Sequence, residues 1–186
     1  MSKHQKFYSN HSSRLQTWDY SKASYYFVTM VVRNRRRSFG EIRDGVMHKT
    51  PLGEFAEQSW KRTLELRPSM NIWLGDFVVM PDHFHAVLRI GVNEHNSSLS
   101  LHNELQTPGQ VLFALSHPKN FFRPQSNNLA SIIRGFKASV TTEARRTGVD
   151  FEWVSRYHES IILNAGDLNF VRSYIRRNAE RWKGVG

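Results

Sequence analysis

The chain has no cysteine. Disulfides and thiolate zinc sites are therefore excluded, and a reducing compartment is compatible with it. No apolar run approaches the ~20 residues of a membrane span. The opening Met1-Ser2-Lys3-His4-Gln5-Lys6 lacks the apolar stretch of a signal peptide. A soluble, cytoplasmic protein is the expectation. Acid is also in short supply: 16 Asp and Glu stand against 26 Lys and Arg, a formal net charge of +10. Such a balance points to a polyanionic partner, nucleic acid before an anionic membrane. The remainder is ordinary. Hydrophobic residues at 39% and charged residues at 23% are globular values, and 186 residues make one domain with a sizeable core.

Periodicity and turn chemistry divide the chain. Residues 1–23 are polar, basic and dotted with aromatics, and read as a basic arm. Tyr25 to Val32 has strand composition and runs into the cationic loop Arg33-Asn34-Arg35-Arg36-Arg37. Thr50-Pro51 opens a helix, with Leu52, Phe55, Ala56, Trp60 and Leu64 on its apolar stripe, and Pro68 closes that segment. Ile72 to Met80 and His83 to Ile90 read as a strand pair joined by Pro81-Asp82. Residues 91–128, rich in Asn, Ser, Gln and Pro, read as a polar insertion broken by patches such as Val111-Leu112-Phe113. Leu129, Ile132, Ile133, Phe136 and Val140 mark a helix that stops at Gly148. Arg156 to Leu163 is a short strand. A last helix opens at Gly166-Asp167, with Asp167 as N-cap and Leu168, Val171, Ile175 and Trp182 as its stripe. The order β, α, β, β, insertion, α, β, α describes an α+β domain. Its first six elements follow the ferredoxin-like order, with an antiparallel sheet, helices packed on it and one helix added at the end.

Two groups of residues carry chemistry. His83-Phe84-His85 lies in an apolar strand, so both imidazoles project from one face while Phe84 enters the core. Two neutral imidazoles side by side are two-thirds of a metal site. On the last helix, Tyr174 and Asn178 are four residues apart and share one face at the edge of the buried stripe. A carboxamide there can offer an oxygen to a metal, and a phenol can reach the same locus.

Together these motifs resemble the HUH endonuclease superfamily, and within it the single-tyrosine insertion-sequence transposases, the REP-associated tyrosine transposases above all. The resemblance rests on Tyr26-Phe27-Val28-Thr29, on Val79-Met80-Pro81-Asp82-His83-Phe84-His85-Ala86-Val87-Leu88, and on Ile132-Ile133-Arg134-Gly135-Phe136-Lys137. Trp153 to Ile162, with Tyr157-His158-Glu159, and Tyr174-Ile175-Arg176-Arg177-Asn178 complete it. It implies an HUH endonuclease fold with the His pair on a central strand and the tyrosine on a late helix. It also implies His83, His85 and Asn178 as ligands of a divalent ion, Mg²⁺ or Mn²⁺, and Tyr174 as nucleophile. The implied activity is cleavage and rejoining of single-stranded DNA near hairpins through a 5′-phosphotyrosine. One such tyrosine per chain implies a homodimer, and the substrate implies a place at the nucleoid. Asn is the shorter amide and matches the REP-associated branch, whereas the insertion-sequence branch usually has Gln.

A phenol titrates near pH ~10 in water, so a tyrosine nucleophile needs an ion, cations or a base to activate it. Candidate DNA contacts are Arg14 and Lys22 in the arm, Arg33, Arg35, Arg36 and Arg37 in the loop, Arg134 and Lys137, and Arg172, Arg176 and Arg177. Tyr157 is a rival nucleophile that lacks an amide partner at i+4. Three other readings stay open: a ferredoxin-like nucleic-acid-binding module without catalysis, a metal-dependent hydrolase using His83 and His85 with Asp82 or Glu159, and a domesticated transposase that binds hairpins only.

Overall fold

A computed structural model of the chain describes residues 18–96 and 126–182. The elements are β1 (Ser24–Val31), β2 (Gly40–Arg43), β3 (Val46–Lys49), α1 (Pro51–Lys61), α2 (Thr63–Leu66), β4 (Ile72–Met80), β5 (His83–Ile90), α3 (Leu129–Arg146), β6 (His158–Ile162) and α4 (Ala165–Arg176). Four strands form one antiparallel sheet in the order β4-β5-β1-β6. With the β2–β3 hairpin set aside, this is the ferredoxin-like arrangement, and the expected α+β class holds.

Strand alternation divides the side chains between two helical layers. Tyr26, Val28, Met30, Phe84, Ala86 and Leu88 are fully buried on one face, in a core shared with Ala56 and Trp60 of α1 and with Ile133, Phe136 and Val140 of α3. The opposite face carries Phe27, Thr29, His83, His85 and Val87, and α4 packs there through Leu168, Val171, Tyr174 and Ile175. The register sets Val31 opposite His83 and Thr29 opposite His85. Both imidazoles therefore lie at the end of the two central strands.

Helix starts follow local chemistry. Thr50 accepts a hydrogen bond from Gly53 N at 3.1 Å with Pro51 at the first position, as expected. Asn128 and Ser131 close a capping box on α3. The last helix begins earlier than the sequence pattern indicates. Asn164, not Asp167, is its N-cap and accepts from Asp167 N at 2.9 Å. It also ends at Arg176, so Trp182 is not on its stripe. Leu64 is exposed, because α1 stops at Lys61 and a separate turn of helix follows. Sequence reading missed the β2–β3 hairpin, although Asp44-Gly45, with φ of 51° and 75°, is a two-residue turn of the kind that favours this dipeptide.

Trp18 and Tyr20 are buried in the main core and Ala23 is buried as well, so the arm reading does not extend to residues 18–23. Asn93 and Asn96 fasten the chain beyond β5 by side-chain bonds to Met70 O, Gly91 O and Ser21 O. The rest of the proposed arm, including Arg14, and most of the proposed insertion, including Val111-Leu112-Phe113, lie outside the described residues.

Candidate active site

The site is built on the Pro81-Asp82 turn and the strand that follows it. Phe39 N donates to Pro81 O at 3.0 Å and Val32 N to Asp82 O at 2.8 Å, which fixes the turn against the β1 end. From there β5 starts with His83. The two imidazoles lie side by side, ring centroids 4.5 Å apart at 74°, and both are buried. Each is oriented through Nδ1. His83 Nδ1 lies 2.5 Å from Oδ1 of the fully buried Asp82, and His85 Nδ1 lies 2.7 Å from Thr29 Oγ1 across the strand pair. With Nδ1 engaged, Nε2 is the nitrogen left on each ring for another partner. Phe27 stacks on His85 at 5.4 Å, and the Trp182 ring lies 5.6 Å from His83.

Burial, the adjoining His83 and the charge of Arg35, in that order, hold the His85 pKa well below the ordinary imidazole range. The ring is therefore neutral at pH 7, the state in which imidazole binds metals.

Tyr174 comes to this pair from α4 of the same chain. Its hydroxyl is 3.3 Å from His85 Nε2, and its ring packs edge-on against His85 and Phe27. The helix is pinned over the sheet by Asp76 of β4, which accepts from Arg172 Nε at 2.5 Å and Arg176 Nε at 3.2 Å. Partial burial raises the Asp76 pKa, but hydrogen bonds and charge from the two arginines outweigh it, so the carboxyl titrates below its usual range. Asn178 lies two residues past the helix and is buried, its N–H bonded to Ile175 O at 3.2 Å. Among the described residues its carboxamide makes no hydrogen bond, so the oxygen is available to another partner. No three His, Cys, Asp or Glu side chains among the described residues form a metal-binding group.

The structure brings His83, His85 and Tyr174 together and sorts the other candidates. Glu159 sits opposite Val28 and so points to the α1–α3 face, away from the His pair. Tyr157 packs against the core on that side. Lys22 lies beyond the Ser24 end of β1 over the Trp18 ring, at the far end of the sheet from the His pair. Arg33 is held by Glu152 at 2.6 Å and Arg36 by Asp150, while Arg35 leans toward Asp82 at 3.6 Å. Arg37 and Arg177 are exposed. Arg134 and Lys137 line a groove between α3 and residues 151–155 that also receives Arg145, Phe151 and Trp153. Lys137 Nζ is engaged there by Val154 O and Ser155 O. Thr29 and Asp76 are contributors that sequence reading did not single out. The one signal for Thr29 is a hydroxyl set among the apolar Phe27, Val28, Met30 and Val31.

No protein-family model matches the chain. An uncharacterized protein of Haemophilus influenzae is 29% identical over 173 residues, spanning 92% of this chain and 89% of its own length. Among solved structures, that of a REP-associated tyrosine transposase bound to a REP hairpin is similar in fold. The TM-score is 0.56 at 18% identity, over 90% of this chain and 73% of that one. At that identity the likeness establishes a transposase-like fold.

Proposed function

We propose that this chain is a single-tyrosine transposase of the REP-associated kind, which cuts and rejoins single-stranded DNA beside hairpins. The observation that carries the reading is the Tyr174 hydroxyl 3.3 Å from His85 Nε2, with His83 alongside and all three supplied by one chain. The transposase-like fold and the charge of +10 agree with it.

The donor set fits a divalent ion: two imidazoles oriented through Nδ1, the pKa of one held low, and a buried, uncommitted carboxamide at Asn178. His83, His85 and Asn178 would hold Mg²⁺ or Mn²⁺. Imidazole and carboxamide bind metals as uncharged donors, so the bound ion would keep its positive charge for the non-bridging oxygens of the scissile phosphate.

The chain does the rest. Tyr174 Oη attacks phosphorus, the bond from phosphorus to the 3′-oxygen breaks, and the DNA is left with a free 3′-hydroxyl and a 5′-phosphate on the tyrosine. The phosphodiester bond energy is kept, so a 3′-hydroxyl of another strand reverses the attack and strand transfer results. Phe27 and Val171 flank the tyrosine and keep it against His85. Arg35, Arg37 and Arg177 offer cations around the site, and the arm, including Arg14, offers more. Two cleavages need two tyrosines, so a pair of copies acts together, each with its own site. The substrate places the protein with the nucleoid.

The test is incubation with labelled single-stranded hairpin DNA and Mn²⁺ or Mg²⁺, followed by denaturing electrophoresis. A protein–DNA band in wild type that disappears in Tyr174→Phe is expected. Binding without a band, across a varied hairpin panel, would leave a binding module. Cleavage that persists in Tyr174→Phe would leave a hydrolase.

A further inference from the structure

Four arginines lie between positions 33 and 37, just after β1, and the fold treats them differently. Arg33 gives its guanidinium to both carboxylate oxygens of Glu152 at 2.6 Å, and Arg36 gives its own to Asp150. Those charges are neutralised at the surface. Arg37 is exposed and makes no ion pair among the described residues.

Arg35 is unlike its neighbours in three respects. Its backbone is left-handed, with φ of 52°, directly after Asn34 at 55°. A side chain with a Cβ enters that region at a cost in strain, and such strain gathers at functional sites. Its guanidinium is directed at the turn that carries the His pair, with Nη1 3.6 Å from Oδ2 of Asp82, the residue whose other oxygen holds His83. That distance is too long for a hydrogen bond. The side chain is 52% exposed, and among the described residues its guanidinium makes no hydrogen bond, so its donors are open at the rim of the site.

We infer that Arg35 is a further catalytic residue for the proposed reaction: its guanidinium grips a non-bridging oxygen of the scissile phosphate. The inference rests on the reading of Tyr174 and the His pair given above. The planar fork of an arginine matches two phosphate oxygens, and it stabilises charge that builds as the Tyr174 oxygen bonds to phosphorus and the 3′-oxygen departs. Net, the phenolic proton passes to the departing 3′-oxygen, and the arginine stays protonated throughout. Asp82 keeps the guanidinium near the pair without saturating it, while Arg33 and Arg36, each tied to its own carboxylate, frame the loop.

The experiment uses the full chain and a hairpin DNA whose cleaved linkage has first been mapped with wild type. That linkage is then made either as the native phosphate or as an uncharged methylphosphonate. Single-turnover adduct formation is measured for wild type, Arg35→Ala, Arg35→Lys and Arg146→Ala, the last a surface cation paired with Glu143 on α3. On the native phosphate, Arg35→Ala should slow adduct formation roughly 100-fold, the usual effect of removing one donor to a developing oxyanion. Arg35→Lys should recover part of the loss, and Arg146→Ala should match wild type. On the methylphosphonate, wild type and Arg35→Ala should agree within about threefold, since the charge that the arginine answers is gone. Mn²⁺ affinity, read by calorimetry without DNA, should be the same in wild type and Arg35→Ala.

An equal loss on both linkages, together with weaker Mn²⁺ binding, would overturn the inference, because Arg35 would then act only by steadying Asp82 and His83. No loss on the native phosphate overturns it as well. A wild type that forms no adduct on any hairpin overturns the proposed function and this inference with it.

Discussion

One nitrogen of His85 faces two claims. Its Nδ1 is taken by Thr29, so Nε2 alone can meet either the Tyr174 hydroxyl, 3.3 Å away, or a metal ion. In the tautomer with the proton on Nδ1, Thr29 Oγ1 accepts that hydrogen and Nε2 presents a lone pair. His85 would hold an ion through the same Nε2, and its bond to the phenol would then give way, leaving the Tyr174 hydroxyl free to meet the DNA. Tyr174→Phe should therefore bind Mn²⁺ at least as tightly as wild type by calorimetry, even though it forms no adduct. Weaker binding would mean that the hydroxyl helps to hold the ion. Thr29→Val should act in the opposite sense. It removes the hydroxyl but keeps the shape, and Mn²⁺ affinity should fall about 10- to 100-fold, the usual effect of losing an outer partner of a ligating histidine. A normal unfolding midpoint in the same variant would separate this from general damage. The His pair was legible in the sequence because i and i+2 must share a strand face. The Thr29 contact was not, since it depends on β1 pairing with β5 in one register, a relation between residues 56 positions apart.

At the scale of elements, α4 decides whether Tyr174 reaches the histidines, yet its hold on the sheet is thin. Ile175 is its one fully buried residue, and Leu168, Val171 and Tyr174 are only half-buried over Val87 and Ile162. The Asp76 link to Arg172 and Arg176 supplies what the apolar stripe lacks. Asp76→Asn should cost roughly 1 kcal/mol at pH 7, the scale of a partly exposed bridge strengthened by hydrogen bonds. It should also slow adduct formation without weakening DNA binding, because the change adds positive charge. The pH dependence has a fixed sign. The Asp76 pKa is lower in the folded state than in the unfolded chain, so the link stabilises fully above the unfolded value of about 4 and is lost as pH falls through the folded value. Urea titrations of wild type and Asp76→Asn should therefore differ at pH 7 and converge in acid. A gap that persists unchanged at pH 3 would count against the link. The helix itself was legible from its stripe, though not its limits: Asn164 and Asp167 are both good caps, and only the path of the chain out of β6 selects the first. The β2–β3 hairpin was legible in principle from Asp44-Gly45 and was hidden by short strands with few apolar residues, whose burial pattern is weak.

For the whole molecule, the charge of +10 indicates a polyanion but not which cations meet it. Ion pairing is a property of the fold, and the structure divides the arginines accordingly. Arg33, Arg36, Arg43 and Arg146 stand against Glu152, Asp150, Glu41 and Glu143, and Arg172 and Arg176 share Asp76. The four one-to-one pairs are close to neutral when seen from a distance, and the Asp76 cluster keeps one net positive charge. Arg37 and Arg177, exposed and without an acidic partner among the described residues, carry excess charge beside the site. Counterion release makes the distinction measurable. For single-stranded DNA the logarithm of the binding constant falls with the logarithm of salt by about 0.7 for each phosphate neutralised. Arg37→Ala and Arg177→Ala should each make that slope shallower by roughly 0.7 and weaken binding most at low salt. The paired replacement of Arg33 and Glu152 by alanine removes one cation and one anion together and should leave the slope unchanged. The measurement is fluorescence anisotropy of a labelled hairpin with a single-stranded flank, titrated across a salt series. Equal changes from the paired and unpaired sites would mean that the ion pairs open on binding and that every arginine of the loop meets a phosphate. A difference between them would confine the DNA path to the rim formed by Arg35, Arg37 and the end of α4.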